Sequence, residues 1–367
     1  PVLVPLITAV LTVLLHRQPR AQQAASIAGA AVLLVCALRL IGDISAQGAV
    51  SVAMGSWPLP FAIELVADRL SMIMVLVTAV LGLGVLVYQL GSAEAPDASD
   101  MMHPLIHGLL AAVCGTVLTA DLFNLYVWFE LMLITVLGLL IVHDRLRNLE
   151  AAFKYFALNL LGTLLFLAAV AMLYGATGQL NFSALGEASQ RAELQGAIPV
   201  YIAMLFTAFL LKAAAFPLYF WLPASYHSLP APLLALIGGL ITKVGIYVML
   251  RLSGEVFIDQ PAVFYQALGW IAVVTMVSGV LGAAYHWDLR RILAFHIISQ
   301  IGYLLLAVAL ATPAGGTAGV FFMVHNILAK ATLFLIAGMM WRMAGHYDLR
   351  RIGGLYPASP LLAVLFL

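Results

Sequence analysis

KAAAFPLYFWLPASYHSLPAPLLALIGGLITK, residues 212–243, is the stretch from which the rest of the chain is read. It opens on Lys212, carries Pro217, Pro223, Pro230 and Pro232, and closes on Lys243 inside a new apolar run. Both lysines interrupt segments otherwise fit for hydrocarbon, YIAMLFTAFLLKAAAF and LLALIGGLITKVGIYVML. At the centre of such a helix an ammonium costs about 2.5 to 3.5 kcal/mol on insertion scales, so its presence needs a compensating use. Pro217 and Pro223 remove backbone donors and clash with the preceding turn, which predicts a helix that breaks near the membrane middle and resumes as a short half-helix. Broken backbone at that depth survives only where protein or a wet cavity satisfies it. The stretch therefore reads as the centre of an ion path.

Composition sets the class. With 64% hydrophobic and 9% charged residues over 367 positions and a mean hydropathy of +1.06, the chain lies outside the range of water-soluble domains and reads as an all-α, multi-pass membrane protein. Its formal charge of +1 is scattered through short loops, which excludes the clustered basic face that nucleic acid requires. Cys36 and Cys114 sit in separate apolar runs without a CxxC or a His/Cys cluster. They read as small core residues, and no metal, redox centre or other cofactor is expected. PVLVPLITAVLTVLL at the start lacks a basic leader and a small-residue cleavage site, so no signal peptide is expected. Pro1 in place of methionine, and the short apolar run PLLAVLFL at the end, make both termini look cut.

Windows of about 20 apolar residues predict spans near 1–15, 22–41, 69–90, 102–119, 122–142, 150–174, 197–226 (broken), 230–252, 262–285, 291–311 and 316–341, with a twelfth beginning near 358. GAVSVAMGSWPLPFAIELVAD, between the second and third spans, alternates and carries Gly and Pro, which predicts an extramembrane β-hairpin. Residues 178–195 read as a short amphipathic surface helix, and the acidic 94–100 loop as a connector. An N-terminus outside the cell puts Arg17, Arg20, Arg145, Arg147, Arg290, Arg291, Arg342, Arg350 and Arg351 on the cytoplasmic side, against Arg39, Arg69, Arg191 and Arg251 on the other. The positive-inside rule favours that orientation.

Helix rise then gives depth. At 1.5 Å per residue from the cytoplasmic ends, Glu130, Lys212, Lys243 and Lys330 all lie roughly 18 to 23 Å into the membrane. Lys154 comes only a turn or so into its helix, where it could either join the buried set or snorkel to the surface. One acid cannot neutralise three lysines, so some of them are expected to be neutral part of the time, which is the chemistry of a proton relay. A structural ion pair between Glu130 and one lysine is the competing reading. His325 lies five residues before Lys330 and could share its cavity or be an ordinary core histidine. His296, Ser299 and Gln300 make a polar stripe that is left out of the relay. For His103, His107 and His227 a hydrated access route and a plain interfacial role both fit. Asp68, Asp121 and Asp288 read as helix caps or loop charges.

DLFNLYVWFELMLI (121–134), the run from Leu158 to Asn181, LLKAAAFPLYFWLPASYHSLPAPLLALIGGLITKVGIY (210–247), RRILAFHIISQIGYLL (290–305) and HNILAKATLFLIAG (325–338) together resemble the proton-conducting membrane subunits shared by respiratory complex I and the Mrp-type multisubunit Na⁺/H⁺ antiporters. FNLYVWFE and FHIISQIGY are most similar to the D-type members of the Mrp group. The resemblance runs from about residue 68 to the end of the chain. It implies two inverted five-helix repeats with discontinuous helices, the second incomplete here: N-terminal helices and hairpin over 1–101, a first repeat over 102–252, and a second over 262–367 that stops in its twelfth helix. It also implies Glu130 as the fifth-helix acid, Lys212 as the lysine of the broken seventh helix, Lys243 as the eighth-helix connector, Lys154 and Lys330 as further relay lysines, and His325 as the histidine preceding the last. The implied activity is not enzymatic: a bacterial inner-membrane subunit moves protons in exchange for Na⁺ alongside other membrane subunits within the lipid bilayer. The alternative is a proton-pumping subunit of a complex I-like NADH-quinone oxidoreductase or membrane-bound hydrogenase.

Overall fold

A computed structural model describes residues 1–58, 61–91, 101–142, 146–191, 196–258 and 260–366. The expected connector at 94–100 and Arg145 lie outside the described residues. The chain runs α1 (Leu3–Leu14), α2 (Pro19–Gln47), β1 (Val50–Ala53), β2 (Glu64–Ala67), α3 (Arg69–Leu90), α4 (Met102–Leu118), α5 (Leu122–Ile141), α6 (Leu146–Thr177), α7 (Phe182–Ser189), α8 (Ile198–Ala213), α9 (Trp221–Tyr226), α10 (Ala231–Arg251), α11 (Ala262–Tyr285), α12 (Leu289–Ala309), α13 (Pro313–Ala344), α14 (Leu355–Ala358) and α15 (Pro360–Phe366). Among the described residues eight helices are long and apolar enough to cross a membrane, and α1, α4 and α8 are shorter apolar helices. The expected spans fall on these elements, because their boundaries were written in local chemistry. Asp68, Asp121 and Asp288 each accept a backbone N–H and cap α3, α5 and α12.

The hairpin is present. Val50 pairs with Ala67 and Ala53 with Glu64, antiparallel. It packs on the α4–α5 junction, where Ala120 N–H donates to the Glu64 carbonyl at 2.9 Å, and Asn181 Nδ2 donates to Glu64 Oε2 at 3.0 Å. This hairpin end of the bundle also holds α7. Of the expected 178–195, residues 192–195 lie outside the described residues, and within the rest the helix starts late, because Gly178 adopts φ +68° and Asn181 then caps the helix by accepting from Ser183 N. It is also less of a surface helix than expected: Phe182 and Leu185 are buried, and Gly186 lies against the carbonyls of Glu255 and Val256.

α10 is the axis of the bundle. Of its most apolar stretch 94% is buried, against 22% for α2 and for α11 at the periphery. Glycines let its neighbours approach. A side chain at Gly245 would press on the Ala213 backbone at the end of α8, and one at Gly238 would meet Phe334 of α13 and Ile297 of α12.

The helix break falls where expected, with one difference. α8 ends at Ala213, Ala214 is left-handed (φ 61°, ψ 48°), and α9 begins at Trp221. Pro217 lies in the break, whereas Pro223 lies in the first turn of α9 and interrupts nothing. A proline is tolerated there because the first-turn N–H has no intrahelical partner. Protein groups satisfy the broken backbone: Ala215 N–H returns to Leu210 O at 2.9 Å, Trp221 Nε1 donates to Leu211 O at 3.0 Å, and Phe216 N–H donates to Thr275 Oγ1 at 3.0 Å.

Candidate ion-translocation path

Lys212 sits in the last turn of α8, directly before the break, and is 5% exposed. Its ammonium donates to Thr163 Oγ1 of α6 at 2.8 Å and lies 5.9 Å from the centre of the Phe129 ring. The apolar spacing that makes α6 a spanning helix also carries Thr163 into the core, where it is 2% exposed. Glu130 of α5 interacts electrostatically with Lys212, but the direct ion pair weighed from the sequence is not formed among the described residues. Glu130 Oε1 is buried without a hydrogen-bond partner. The acid and the lysine are thus close enough to feel each other's charge, with the lysine held by a neutral hydroxyl.

Lys243 is fully buried in α10, and its Nζ donates to Gly238 O at 2.8 Å. It interacts electrostatically with Lys330 of α13, which is 1% exposed. The partner of Lys330 is a histidine, but not the expected one. His296 of α12 brings Nδ1 to 2.7 Å from Lys330 Nζ, so an ammonium there donates to an unprotonated ring nitrogen. His325 is exposed and stacks on Phe322 instead. Beside His296, Gln300 Oε1 accepts from Asn326 Nδ2. The polar stripe of α12 therefore faces the polar residues of α13.

Lys154 takes the snorkelling alternative. It is exposed and pairs with Glu150, one turn earlier on α6, at 2.5 Å. Both residues line a cavity of about 540 Å³ that includes Tyr219, Pro223, His227, His286 and Arg291. This cavity opens beside the helix break, at the end of the bundle away from the hairpin. His227 and His286 each direct Nδ1 at a carbonyl four residues back, Pro223 O at 3.0 Å and Gly282 O at 2.8 Å, which makes Nε2 the lone-pair nitrogen of the neutral rings.

Lys212, Lys243 and Lys330 therefore belong to the bundle interior, Glu130 is half-buried, and Lys154 and His325 belong to the surface. Thr163 and His296 are the partners that sequence reading missed. A lone threonine inside LNLLGTLLFL was the signal for the first, and the stripe of His296, Ser299 and Gln300 for the second. Among the described residues no group of three or more His, Cys, Asp or Glu is arranged to hold a metal ion.

Residues 119–367 match the family described as "NADH:quinone oxidoreductase/Mrp antiporter, TM". Over 366 residues, all of this chain and 74% of each relative, the sequence is 35% identical to the D-type Na⁺/H⁺ antiporter subunit of Alkalihalophilus pseudofirmus and 34% identical to that of Bacillus subtilis. The fold superposes on a chain of the Mrp complex from Dietzia sp. with a TM-score of 0.93 and 34% identity, covering all of this chain and 68% of that one. A chain of an archaeal membrane-bound sulfane sulfur reductase also superposes with a TM-score of 0.93, at 25% identity and 75% of its length. A family profile over residues 119–367 and relatives at 34–35% identity over the whole chain lead to one assignment: the chain belongs to the NADH:quinone oxidoreductase/Mrp antiporter family of membrane proteins.

Proposed function

We propose that this chain is the D-type ion-translocating component of a multisubunit Na⁺/H⁺ antiporter in a bacterial inner membrane, with its N-terminus outside. The observation that carries this reading is the set of three lysines buried in the bundle, none of them ion-paired among the described residues, in a chain 34–35% identical over its whole length to D-type antiporter subunits. A purely structural lysine in hydrocarbon is paired with a carboxylate; these lysines are held by a hydroxyl, a carbonyl and an imidazole. Each of those partners lets the amine be protonated or neutral without leaving a buried counter-charge behind.

Protons reach the interior through the cavity beside the break, where His227 and His286 collect them. Glu130 and Lys212 exchange a proton, with the Thr163 hydroxyl able to hold the amine in either state. The charge then passes to Lys243 and on to Lys330, where His296 Nδ1 is placed to accept it. Na⁺ crosses with the help of neighbouring membrane subunits. The expected boundaries stand as part of this reading: N-terminal helices and hairpin over 1–101, one five-helix repeat over 102–252, and an inverted second repeat from 262. Lys154 acts at the cavity mouth, and His325 faces lipid or a partner.

The superposition on the sulfane sulfur reductase chain favours a second reading, a proton-pumping subunit of a redox complex. Lower identity to that chain than to the Mrp chain ranks it behind the first. The test is to restore the complete complex to a strain lacking its own antiporters and to follow Na⁺-dependent collapse of ΔpH in everted vesicles. Exchange without any electron donor supports the antiporter reading. Proton movement that appears only with a reducible quinone or sulfur substrate overturns it.

A further inference from the structure

Lys243, Tyr247, Arg251 and Glu255 recur every fourth residue along α10 and the turn that follows it, climbing from the buried lysine to the hairpin end. The three groups beyond the lysine are closed on one another. Tyr247 Oη donates to Val117 O of α4 at 2.6 Å and accepts from Arg251 Nη2 at 2.9 Å. Arg251 grips Asp68 with both arms of its guanidinium, Nη1 to Oδ2 at 2.5 Å and Nη2 to Oδ1 at 3.0 Å, and Nη1 also reaches Glu255 Oε1 at 2.5 Å. Asp68 is itself the N-cap of α3, accepting from Ser71 N at 2.9 Å. Tyr247 is 1% exposed, the Arg251 side chain 7%, and the side chains of Asp68 and Glu255 26% and 46%. The cluster therefore runs from dry interior to water, with the guanidinium inside and the carboxylates outermost. Lys243 points the other way, its Nζ on Gly238 O, one turn farther from the hairpin end.

We propose that Tyr247, Arg251, Asp68 and Glu255 seal the hairpin end of the bundle against ions, so that a proton held on Lys243 leaves only sideways, toward Lys330. This rests on the relay reading of Lys243. The seal follows from what each group can do with a proton. An arginine does not release one at any accessible pH, so Arg251 cannot be a relay station. The one proton of Tyr247 is committed to a carbonyl, and its acceptor capacity faces the guanidinium. A fixed positive charge inside a narrow, dry constriction repels hydronium and Na⁺ alike. Burial pushes the Asp68 carboxyl up, and the hydrogen bonds and charge of Arg251, with the Ser71 cap, more than offset it and hold it below the usual carboxylate range, whereas burial leaves the Glu255 carboxyl raised, so Asp68 is the more lasting of the two partners as the pH falls.

The experiment uses the assembled complex in proteoliposomes, with a ΔpH imposed in Na⁺-free buffer and its decay followed by a pH dye, scaled to the amount of complex. Arg251→Met removes the charge at similar length and should speed the Na⁺-independent decay by about tenfold, while in Arg251→Lys the Asp68 and Glu255 carboxylates would keep the amine protonated, and the variant should stay close to wild type. Tyr247→Phe loses only a hydroxyl and should raise the leak by about threefold. Wild-type tightness in both Arg251→Met and Tyr247→Phe overturns the seal and leaves the cluster as a staple between α3 and α10. If Arg251→Met does not assemble, Tyr247→Phe decides alone. Adding Lys243→Arg to the leaky variant separates the two readings: a leak that disappears supports the seal and the relay together, whereas a leak that persists keeps the seal but removes Lys243 from the path.

Discussion

Lys243 and Arg251 lie two turns apart on α10, both buried, and the fold surrounds them differently. Arg251 has two carboxylates, a phenol and a side-chain exposure of 7%. Lys243 has a single backbone carbonyl and no exposure. A buried cation with full counter-charge is fixed in place, and removing one partner of such a pair strands the other at a cost of about 3–5 kcal/mol. A buried amine with only neutral partners can lose its proton without stranding anything. On the proposed relay, one helix carries a permanent charge at its end and a transferable one in its middle, and the residue type matches the task, since of the two only lysine can titrate.

Loss of a titrating group should have the largest effect. Glu130→Ala and Lys212→Ala should each lower Na⁺-dependent proton movement in everted vesicles by at least about 100-fold, the size expected when one required proton transfer is lost, with the complex still assembled. Exchange at the wild-type rate in both would make Glu130 and Lys212 structural. Lys243→Arg should fall nearly as far, because the charge stays and the titration goes. Arg251→Lys on the same helix should cost less than about threefold in exchange, since the Asp68 and Glu255 carboxylates would keep a lysine there charged. Equal losses in these two variants would erase the distinction between the two ends of α10.

His296→Asn should slow exchange by about tenfold and change the shape of its pH profile, because an amide occupies the same place without accepting and releasing a proton. His325→Ala, at an exposed position, should change it by less than about twofold in the same assay; a larger loss than that of His296→Asn would return the relay to the histidine suggested by family resemblance.

The smallest effect belongs to the turn after α13. There Asp348 accepts from Arg350 at 2.6 Å, and Leu289 N–H pairs with Tyr347 O. Hydrogen bonds from Arg350 hold the Asp348 carboxyl down to about 2. A depressed carboxyl stabilises the fold above its unfolded value near 3.9 and loses that contribution only as the pH falls toward 2. Thermal unfolding of the detergent-solubilised complex should therefore not change between pH 5 and 8 on account of this residue, and Asp348→Asn should lower the midpoint at pH 7 by no more than about a degree, because an ion pair to an exposed arginine contributes little. A clear shift at pH 7 would mean that the turn helps to hold the assembled complex together.

Much of the fold was legible because membrane helices are specified locally. Twenty apolar residues between charges define α3 or α11 whatever surrounds them, an aspartate before the first turn caps α3, α5 and α12, and the break after Lys212 follows from a proline whose effect does not depend on neighbours. The alternation around Gly55 was enough to predict the hairpin. Pro223 was misread because its effect depends on where the next helix begins, and that was decided by the length of the break.

The sequence by itself determined that the chain spans a membrane and that a helix breaks beside Lys212, and it led to the expectation that Glu130, Lys212, Lys243 and Lys330 share a depth. Depth is a one-dimensional quantity, obtained from helix rise along a single segment. Only the tertiary structure decided which side chains meet: Lys212 on Thr163, Lys330 on His296 rather than His325, Lys154 on the surface with Glu150, and Arg251 clasping Asp68 across 183 positions of sequence. These partners depend on the rotation of each helix about its axis and on which helices are neighbours. Both are set by packing contacts, such as those at Gly238 and Gly245, between segments far apart in the chain, and in a bundle whose helices are apolar on nearly every side the hydrophobic pattern of one segment does not encode its rotation.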